Sequence, residues 1–163
     1  MELVNIRLAK PEEALTILEA QKQEYEKYSE LDPTALNETE QDLVKRITSD
    51  KWKVYVGERE GKIIGGISYL LNPVYQSAYT GRIFGLELGA SLYMLNNTII
   101  KLPFSEIKKV VYRTFNNEQR IDYFKRMGWE LMKEVDKAEF KKAFSEIDFR
   151  EDRAYLKNTK IHS

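Results

Sequence analysis

The stretch Arg113–Leu131, RTFNNEQRIDYFKRMGWEL, contains the end of one strand and a complete short helix. The residues that lead into it, IKKVVYRTF, are β-branched and aromatic, which favours a strand. One face of the following segment carries apolar residues at helical spacing, namely Ile121, Phe124 and Met127. Gly128 is typical of the left-handed residue that ends a helix. A strand that leads directly into a helix is half of a crossover unit, which joins parallel strands.

The two asparagines before this helix can both serve as its cap. Asn116 is followed three residues later by Gln119, a spacing typical of a capping box. This spacing predicts Asn116 as the cap and Asn117 as the first helical residue, and a shift of one residue exchanges the two roles.

The rest of the chain predicts further strands and helices on both sides of this unit. VYVGEREGKIIGGISYL predicts a hairpin that turns at Glu60-Gly61-Lys62, and LVNIRLAK predicts a first strand. Asn37 with Glu40 predicts the cap of a second helix. In GRIFGLELGASLYML the strand-to-helix switch is predicted at Leu88 to Ser91. WELMKEVD and AEFKKAFSE predict two last strands.

The predicted order is therefore β-α-α-β-β-β-α-β-α-β-β. It places the chain in the α/β class, of α+β type, with a mixed sheet. A single domain is expected over residues 1–147, followed by a charged tail over 148–163.

Composition excludes several classes of function. The 26 basic and 26 acidic side chains cancel, which gives no electrostatic reason to expect nucleic-acid binding. The chain has no cysteine, and its one histidine is His162, so thiolate chemistry and a metal site are not expected. No signal peptide and no apolar run of roughly 18 residues is present, which predicts a cytoplasmic protein without a membrane span.

The hairpin and the segment Asn117–Glu130, together with the element order, resemble the GNAT superfamily of N-acetyltransferases. The resemblance implies a GNAT-like fold, coenzyme A as cofactor, and transfer of an acetyl group from acetyl-CoA to an amine. Two neighbouring parallel strands are then expected to part, so that their backbone groups can bind the extended pantetheine arm in the manner of an added strand.

The resemblance also implies where coenzyme A binds. A loop before the third helix would hold the pyrophosphate through backbone N–H groups and the helix N-terminus. The cofactor-binding residues implied by the loop and the late helix are Leu86, Leu88, Gly89, Ala90, Ser91, Asn117 and Phe124.

Two positions depart from the GNAT pattern. The loop pattern of Arg or Gln, two residues, Gly, one residue, then Gly or Ala fits only Arg82–Glu87, RIFGLE, which ends on an acidic residue. An acidic side chain repels a pyrophosphate. Where the family often has a tyrosine that protonates the leaving thiolate, this chain has Phe124, so Tyr123 or water would have to act as the acid.

Glu87 is the candidate base for the amine. A free alkylamine is protonated at neutral pH, so its attack requires a proton acceptor. The N–H of Leu86 or Leu88 is the candidate donor to the developing oxyanion. The alternative is that Glu87 is a solvated strand residue, which is the commoner role of a glutamate on a strand.

Two functional hypotheses follow. The first is an N-acyltransferase that acts on a small-molecule or protein amine, with Leu31 to Asn37 as a wall of the acceptor pocket. The second is a catalytically degenerate GNAT-like protein that serves as a binding or structural module, with a homodimer through sheet edges or the tail. An unrelated mixed α/β domain is a third, weaker alternative.

Overall fold

The computed structural model describes residues 4–26, 37–103 and 105–161. Its strands form a seven-stranded mixed sheet in the order β1-β2-β3-β4-β5-β7-β6. The strands are β1 Asn5–Leu8, β2 Trp52–Arg59, β3 Lys62–Asn72, β4 Ser77–Gly85, β5 Lys109–Phe115, β6 Glu130–Leu131 and β7 Arg153–Asn158. The α-helices are α1 Ala14–Tyr25, α2 Glu40–Thr48, α3 Ala90–Thr98, α4 Glu118–Arg126 and α5 Glu134–Ala143. The fold class is the predicted one.

The described chain divides into two compact units. The first is built from residues within 1–70 and 81–101, and the second from residues within 71–80 and 102–163.

The first unit contains the predicted hairpin. β2 and β3 pair antiparallel, with Arg59 opposite Lys62. The two residues between them, Glu60 and Gly61, have φ angles of 53° and 77°. Two successive left-handed residues are the signature of a tight turn that matches strand twist, and glycine adopts that conformation without strain.

One face of this hairpin is covered by α1 and α2. Their apolar residues pack with strand residues in a core formed by Ala14, Ile17, Leu18, Ala20, Leu43, Val56, Ile63 and Phe84. The N-terminus of α2 is capped by Thr39, whose hydroxyl accepts the Asp42 N–H at 3.2 Å while the Asp42 carboxylate accepts the Thr39 N–H at 3.1 Å. The predicted cap at Asn37 is therefore wrong, because the reciprocal pair that satisfies the helix end lies two residues later.

Helix α3 approaches the first unit's sheet closely at a glycine. A Cβ on Gly57 would lie 2.6 Å from the sulfur of Met94, which is 1% exposed. Since successive strand residues face opposite sides, Gly57 and the core residue Val56 lie on opposite faces. The sheet of this unit is thus packed on both faces, as α/β architectures require.

The second unit is organised around β5. β4 pairs with β5 in parallel, and β5 pairs with β7 antiparallel along the full length from Val110 to Phe115. β6 extends this sheet beyond β7 with two residue pairs, Glu130 with Lys157 and Leu131 with Leu156. β7 comes from the segment predicted as a charged tail, while the predicted domain boundary at residue 147 stays a prediction.

The last predicted strand, AEFKKAFSE, is wrong, because its first six residues belong to α5. Phe140, Ala143 and Phe144 lie three and four residues apart, which places them on one helical face. Phe140 and Phe144 pack on Tyr79 at ring distances of 5.5 and 6.0 Å. The observed order is therefore β-α-α-β-β-β-α-β-α-β-α-β. Among the described helices, none combines the length and apolar character required to cross a membrane.

Candidate functional site

The turn between β4 and α3 gathers the predicted loop residues of the first unit. β4 ends at Gly85 and α3 begins at Ala90, so the turn consists of residues 86–89. The N–H of Ala90 donates to the carbonyl of Glu87 at 3.1 Å, and Gly89 has a φ of +82°. The predicted switch at Leu88 to Ser91 includes the observed helix start at Ala90 but begins two residues after the start of the turn at Leu86.

The end of β4 lies directly against the first turn of α3. A Cβ on Gly85 would be 2.6 Å from the nitrogen of Ser91 and 2.8 Å from the Cβ of Ala90. Helix α3 begins without a side-chain cap, and its first turn contains no acidic residue. An uncapped N-terminus presents N–H groups and the positive end of the helix dipole, which together attract an anion.

The two predicted oxyanion donors, the N–H groups of Leu86 and Leu88, have different surroundings. The N–H of Leu86 donates to the carbonyl of Ile64 at 2.8 Å, so it is committed to the sheet. The assignment of Leu86 as an oxyanion donor is therefore wrong. Leu88 lies at the tip of the turn, with a side chain that is fully exposed.

Glu87 lies in the turn and forms an ion pair. Its carboxylate accepts a hydrogen bond from the guanidinium of Arg59, at the end of β2, and its side chain is 37% exposed. Glu87 is thus neither a residue of the fourth strand nor a carboxylate solvated on all sides. Arg59 fixes the orientation of the carboxylate, and an incoming ammonium group would compete with it.

In the second unit, Asn117 caps helix α4. Its side-chain oxygen accepts the N–H of Arg120 at 3.2 Å. The prediction that Asn116 is the cap is wrong, and the one-residue shift that the sequence left open is the one observed. The cap uses the oxygen of the Asn117 amide, so its NH2 group remains on the exposed end of the helix.

Phe124 and Tyr123 lie on different sides of α4. Phe124 is 3% exposed, and its ring is 5.0 Å from Tyr112 and 5.9 Å from Trp129, edge to face in both pairs. Tyr123 is 38% exposed and lines an open surface groove with neighbouring helix residues. One residue turns an α-helix by about 100°, which accounts for the separation of the two side chains.

The parallel pairing of β4 with β5 is short. It consists of Ser77 with Lys109, Ala78 with Val110, and Tyr79 with Val111. Thr80 and Tyr112, which also belong to the second unit and come next in register, do not continue it. Alternate residues of a strand direct their N–H and C=O groups to opposite neighbours, so β5 retains backbone groups on its β4 side beyond Val111.

A buried hydroxyl lies where the pairing ends. Thr80 is 4% exposed, and its Oγ1 has no hydrogen-bond partner in the part of the chain that the structure describes. A buried polar atom without a partner costs free energy, so such an atom calls for an explanation. Groups of three or more His, Asp or Glu side chains that could hold a metal ion do not occur within residues 4–26, 37–103 and 105–161.

Comparison with solved structures identifies the fold. The chain superimposes on PaiA N-acetyltransferase of Thermoplasma acidophilum, solved with coenzyme A, with a TM-score of 0.69 and 12% identity over 96% of this chain and 99% of that one. An acetyltransferase of the GNAT family from Staphylococcus aureus gives a TM-score of 0.64 and 13% identity, covering 96% and 98% of the two chains. A chimeric spermidine N-acetyltransferase from Vibrio cholerae and hSSAT gives 0.66 and 15%, covering 96% and 95%. The chain has the GNAT fold. No protein-family profile and no curated protein matches its sequence.

Within this GNAT fold, Arg82 and Gly85 of the loop pattern RIFGLE make contacts that stabilise the first unit. The Nε of Arg82 donates to the carboxylate of Glu38 at 3.2 Å, and Arg46 binds the same carboxylate at 3.0 Å. Arg82 is therefore committed to a buried ion-pair network in the first unit. Gly85, the glycine of the pattern, is the residue that brings β4 against α3. Of the predicted acceptor wall, residues 31–36 lie outside the described residues.

Sequence patterns did not single out Thr80 and Tyr112, the two residues of the second unit that follow the last β4–β5 pair. Tyr112 belongs to a run of strand-forming residues, where an aromatic side chain predicts packing. The alternation Tyr112, Thr114 within that run could have shown that two hydroxyl groups share one face of β5. Nothing in the sequence around Thr80 predicts that pairing stops there.

Proposed function

We propose that this protein is an N-acyltransferase that moves an acetyl group from acetyl-CoA to an amine by direct attack. The observation that carries the proposal is the short β4–β5 pairing, which stops after Tyr79 and Val111 in a chain with the GNAT fold. Backbone groups that β5 directs toward its β4 side beyond this pairing would suit an extended chain of amides, and the pantetheine arm of coenzyme A is such a chain. PaiA N-acetyltransferase, a structural neighbour, was solved with coenzyme A.

The cofactor residues are proposed from the geometry of each unit. In the first unit, Leu88 and Gly89 of the turn and the first helical residues Ala90 and Ser91 would hold the pyrophosphate, and Leu86, whose N–H donates to Ile64, would fix the start of that turn. The uncapped helix start and the absence of acidic residues in its first turn support this role. In the second unit, Asn117 offers its amide NH2 group, and Phe124 supplies an apolar surface for the thioester end.

The proposed chemistry requires a proton acceptor and a proton donor. Glu87 is the proposed base for the attacking amine, with Arg59 holding its carboxylate in place. The N–H of Leu88 is the proposed oxyanion donor, since that of Leu86 is committed to Ile64. Tyr123 is the acid that the sequence offers. A thiolate is a good leaving group, so the demand on the acid is modest.

The acceptor is an amine of a small molecule or of a protein. A spermidine N-acetyltransferase is among the structural neighbours, which makes a polyamine a reasonable first probe. A cytoplasmic location and a homodimer stay predictions.

Titration calorimetry with acetyl-CoA tests cofactor binding, and release of the coenzyme A thiol tests turnover. The chain has no cysteine, so a thiol reagent reports coenzyme A alone. The probes are spermidine and a peptide with a free N-terminus. We expect binding in the micromolar range and thiol release that depends on the amine.

A pair of glycine variants gives the control. Gly89 and Gly61 have φ angles of +82° and +77°, and a Cβ at either position meets nothing within 4 Å. Gly89→Glu places a negative charge at the proposed pyrophosphate site and should abolish binding, whereas Gly61→Glu should bind like the wild type. Equal binding by both variants, or no heat from the wild type at millimolar acetyl-CoA, would contradict the proposal.

A further inference from the structure

Resting on the proposed acetyl transfer, we infer that Tyr112 on β5 donates the proton to the departing sulfur of coenzyme A. This residue takes over a function that α4 cannot supply through Phe124. The inference stands on the position of the ring, on the surroundings of its hydroxyl group and on the buried hydroxyl of Thr80.

The ring of Tyr112 lies next to the position where the GNAT motif often has its tyrosine. Its centroid is 5.0 Å from that of Phe124, with an interplanar angle of 87°. Phe124 contributes no hydroxyl, but the ring that packs edge-on against it does. Tyr123, in contrast, lies on the exposed side of the same helix.

Tyr112 is also the first β5 residue beyond the pairing with β4. Tyr79, in the last pair, faces Phe140 and Phe144 of α5, whereas Tyr112 faces Phe124 of α4. Because side chains alternate along a strand, Tyr112 and Thr80 share the face opposite to that of Tyr79 and Val111. This face at the end of the pairing is therefore where a hydroxyl can reach an arm lying along β5.

The surroundings of the hydroxyl suit a proton donor. Thr114, which is 1% exposed, lies two residues further along the same face, where its hydroxyl can act on that of Tyr112. Burial raises the pKa of Tyr112, whereas the charge of Arg120 and hydrogen bonding by Thr114 lower it and so favour release of the proton. The Thr114 hydroxyl and the Arg120 guanidinium would both stabilise the phenolate that proton donation leaves.

Thr80 supplies an independent sign that a ligand occupies this place. Its Oγ1 is buried and has no partner in the described residues, although it is adjacent in register to Tyr112. An amide or the thioester carbonyl of the pantetheine arm would satisfy it.

The step is balanced as follows. The amine nitrogen attacks the thioester carbonyl carbon and forms the C–N bond, and the C–S bond breaks with its electron pair on sulfur. The Tyr112 proton passes to that sulfur, giving the free thiol of coenzyme A. The attacking nitrogen loses a proton to Glu87, which releases it to solvent. The phenolate of Tyr112 then takes up a proton from solvent, so no net charge is left on the protein.

The test is Tyr112→Phe, measured by thiol release with acetyl-CoA and spermidine and by calorimetry with coenzyme A. We expect kcat to fall by about tenfold to a hundredfold, the lower part of the range for general acids, with the Kd for coenzyme A within twofold of the wild type. Tyr75→Phe, the same change at a partly exposed tyrosine in the turn before β4, is the matched control and should retain wild-type kcat.

A second measurement separates proton donation from a structural role. Replacing Tyr112 by 3-fluorotyrosine makes the hydroxyl more acidic with little change of shape. The rate should then change while the Kd does not, because only a proton donor responds to acidity.

Each outcome either supports or overturns the role of Tyr112 as the proton donor. A fall in kcat with an unchanged Kd supports the inference. A parallel fall in kcat and affinity, an unchanged kcat, or a larger loss in Tyr123→Phe would overturn it. If the wild type binds no acetyl-CoA, the proposed function itself fails and the inference falls with it. If it binds acetyl-CoA but the variants are equally active, only the inference fails.

Discussion

Replacing Gly85 by alanine should displace the turn that carries the proposed pyrophosphate site. The new Cβ would lie 2.6 Å from the nitrogen of Ser91 and 2.8 Å from the Cβ of Ala90. Non-bonded heavy atoms pack at about 3.5–4.0 Å, so roughly 1 Å of overlap must be relieved. The two atoms belong to a backbone and to a methyl group, which cannot rotate away, and the start of α3 has to move instead.

The expected size follows from two opposing effects. Overpacking of this kind costs about 1–3 kcal/mol of the free energy of unfolding. Gly85 is not among the residues with positive φ, so alanine also restricts the unfolded chain, which returns about 0.4–1 kcal/mol. A net loss of about 1–2 kcal/mol lowers Tm by roughly 3–6 °C in a chain of 163 residues. Loss of one hydrogen bond to a charged phosphate, about 1.5 kcal/mol, weakens coenzyme A binding by about tenfold.

Thermal unfolding and titration calorimetry with coenzyme A measure the two effects. Gly61→Ala is the control, because strain at its φ of +77° also lowers stability, by about 1 kcal/mol, while its Cβ meets nothing within 4 Å and so displaces no neighbour. The Gly61→Ala protein should have a lower Tm and an unchanged affinity for coenzyme A. A Gly85→Ala protein with wild-type Tm and affinity would refute the close packing of β4 on α3. An equal loss of affinity in both variants would trace the effect to stability alone.

Three further changes test other parts of the structure. Asn117→Ala should lower the free energy of unfolding by about 1 kcal/mol in urea titrations, whereas Asn116→Ala should leave it unchanged, since only Asn117 caps α4. Glu38→Gln should cost about 3 kcal/mol in the same assay, because the carboxylate, 3% exposed, binds both Arg46 and Arg82; a loss below about 0.5 kcal/mol would contradict the network. Arg7 donates to Glu13 and lowers the pKa of its carboxyl group, so the pair stabilises the fold above the unfolded pKa and this contribution is lost as pH falls. The stability difference between wild type and Glu13→Gln, about 1 kcal/mol at pH 7, should therefore vanish between about pH 5 and 3, and a constant difference would exclude the pair as its source.

Local signals predicted most of the fold because each is read within a few residues. The turn at Glu60 and Gly61, the strand up to Phe115 and the glycine end of α4 all follow from residue type and spacing. The errors arose where two local signals competed. In AEFKKAFSE the aromatic residues favour a strand, but Phe140 and Phe144 are four residues apart and find Tyr79 only on a helix. β7 was missed because Arg153–Asn158 lies among charges, and its pairing with β5 is not visible locally.

The candidate site could be predicted only in outline, since its details depend on contacts between distant residues. The turn after β4 was predicted two residues too late, and the cap of α4 was placed one residue too early, at Asn116. The ion pair of Glu87 with Arg59 joins residues 28 apart in the chain, and the bond from Leu86 to Ile64 joins a turn to a strand. Nothing in the sequence near Glu87 predicts that Arg59 or Ile64 is a partner of this turn. The end of the β4–β5 pairing is likewise a property of two strands, so Thr80 gave no signal.

Phe124 shows how fold and chemistry can separate in a chain with the GNAT fold. Packing of α4 on β5 uses an aromatic ring beside Trp129, and Phe124 fills this place at 3% exposure. This packing involves the ring alone and no hydroxyl group. On β5 the situation differs, because Tyr112 packs edge to face against Phe124 and stands in a strand that pairs with β7 from Val110 to Phe115. The position of the proposed proton donor is thus set by the sheet, whatever aromatic residue α4 carries at position 124.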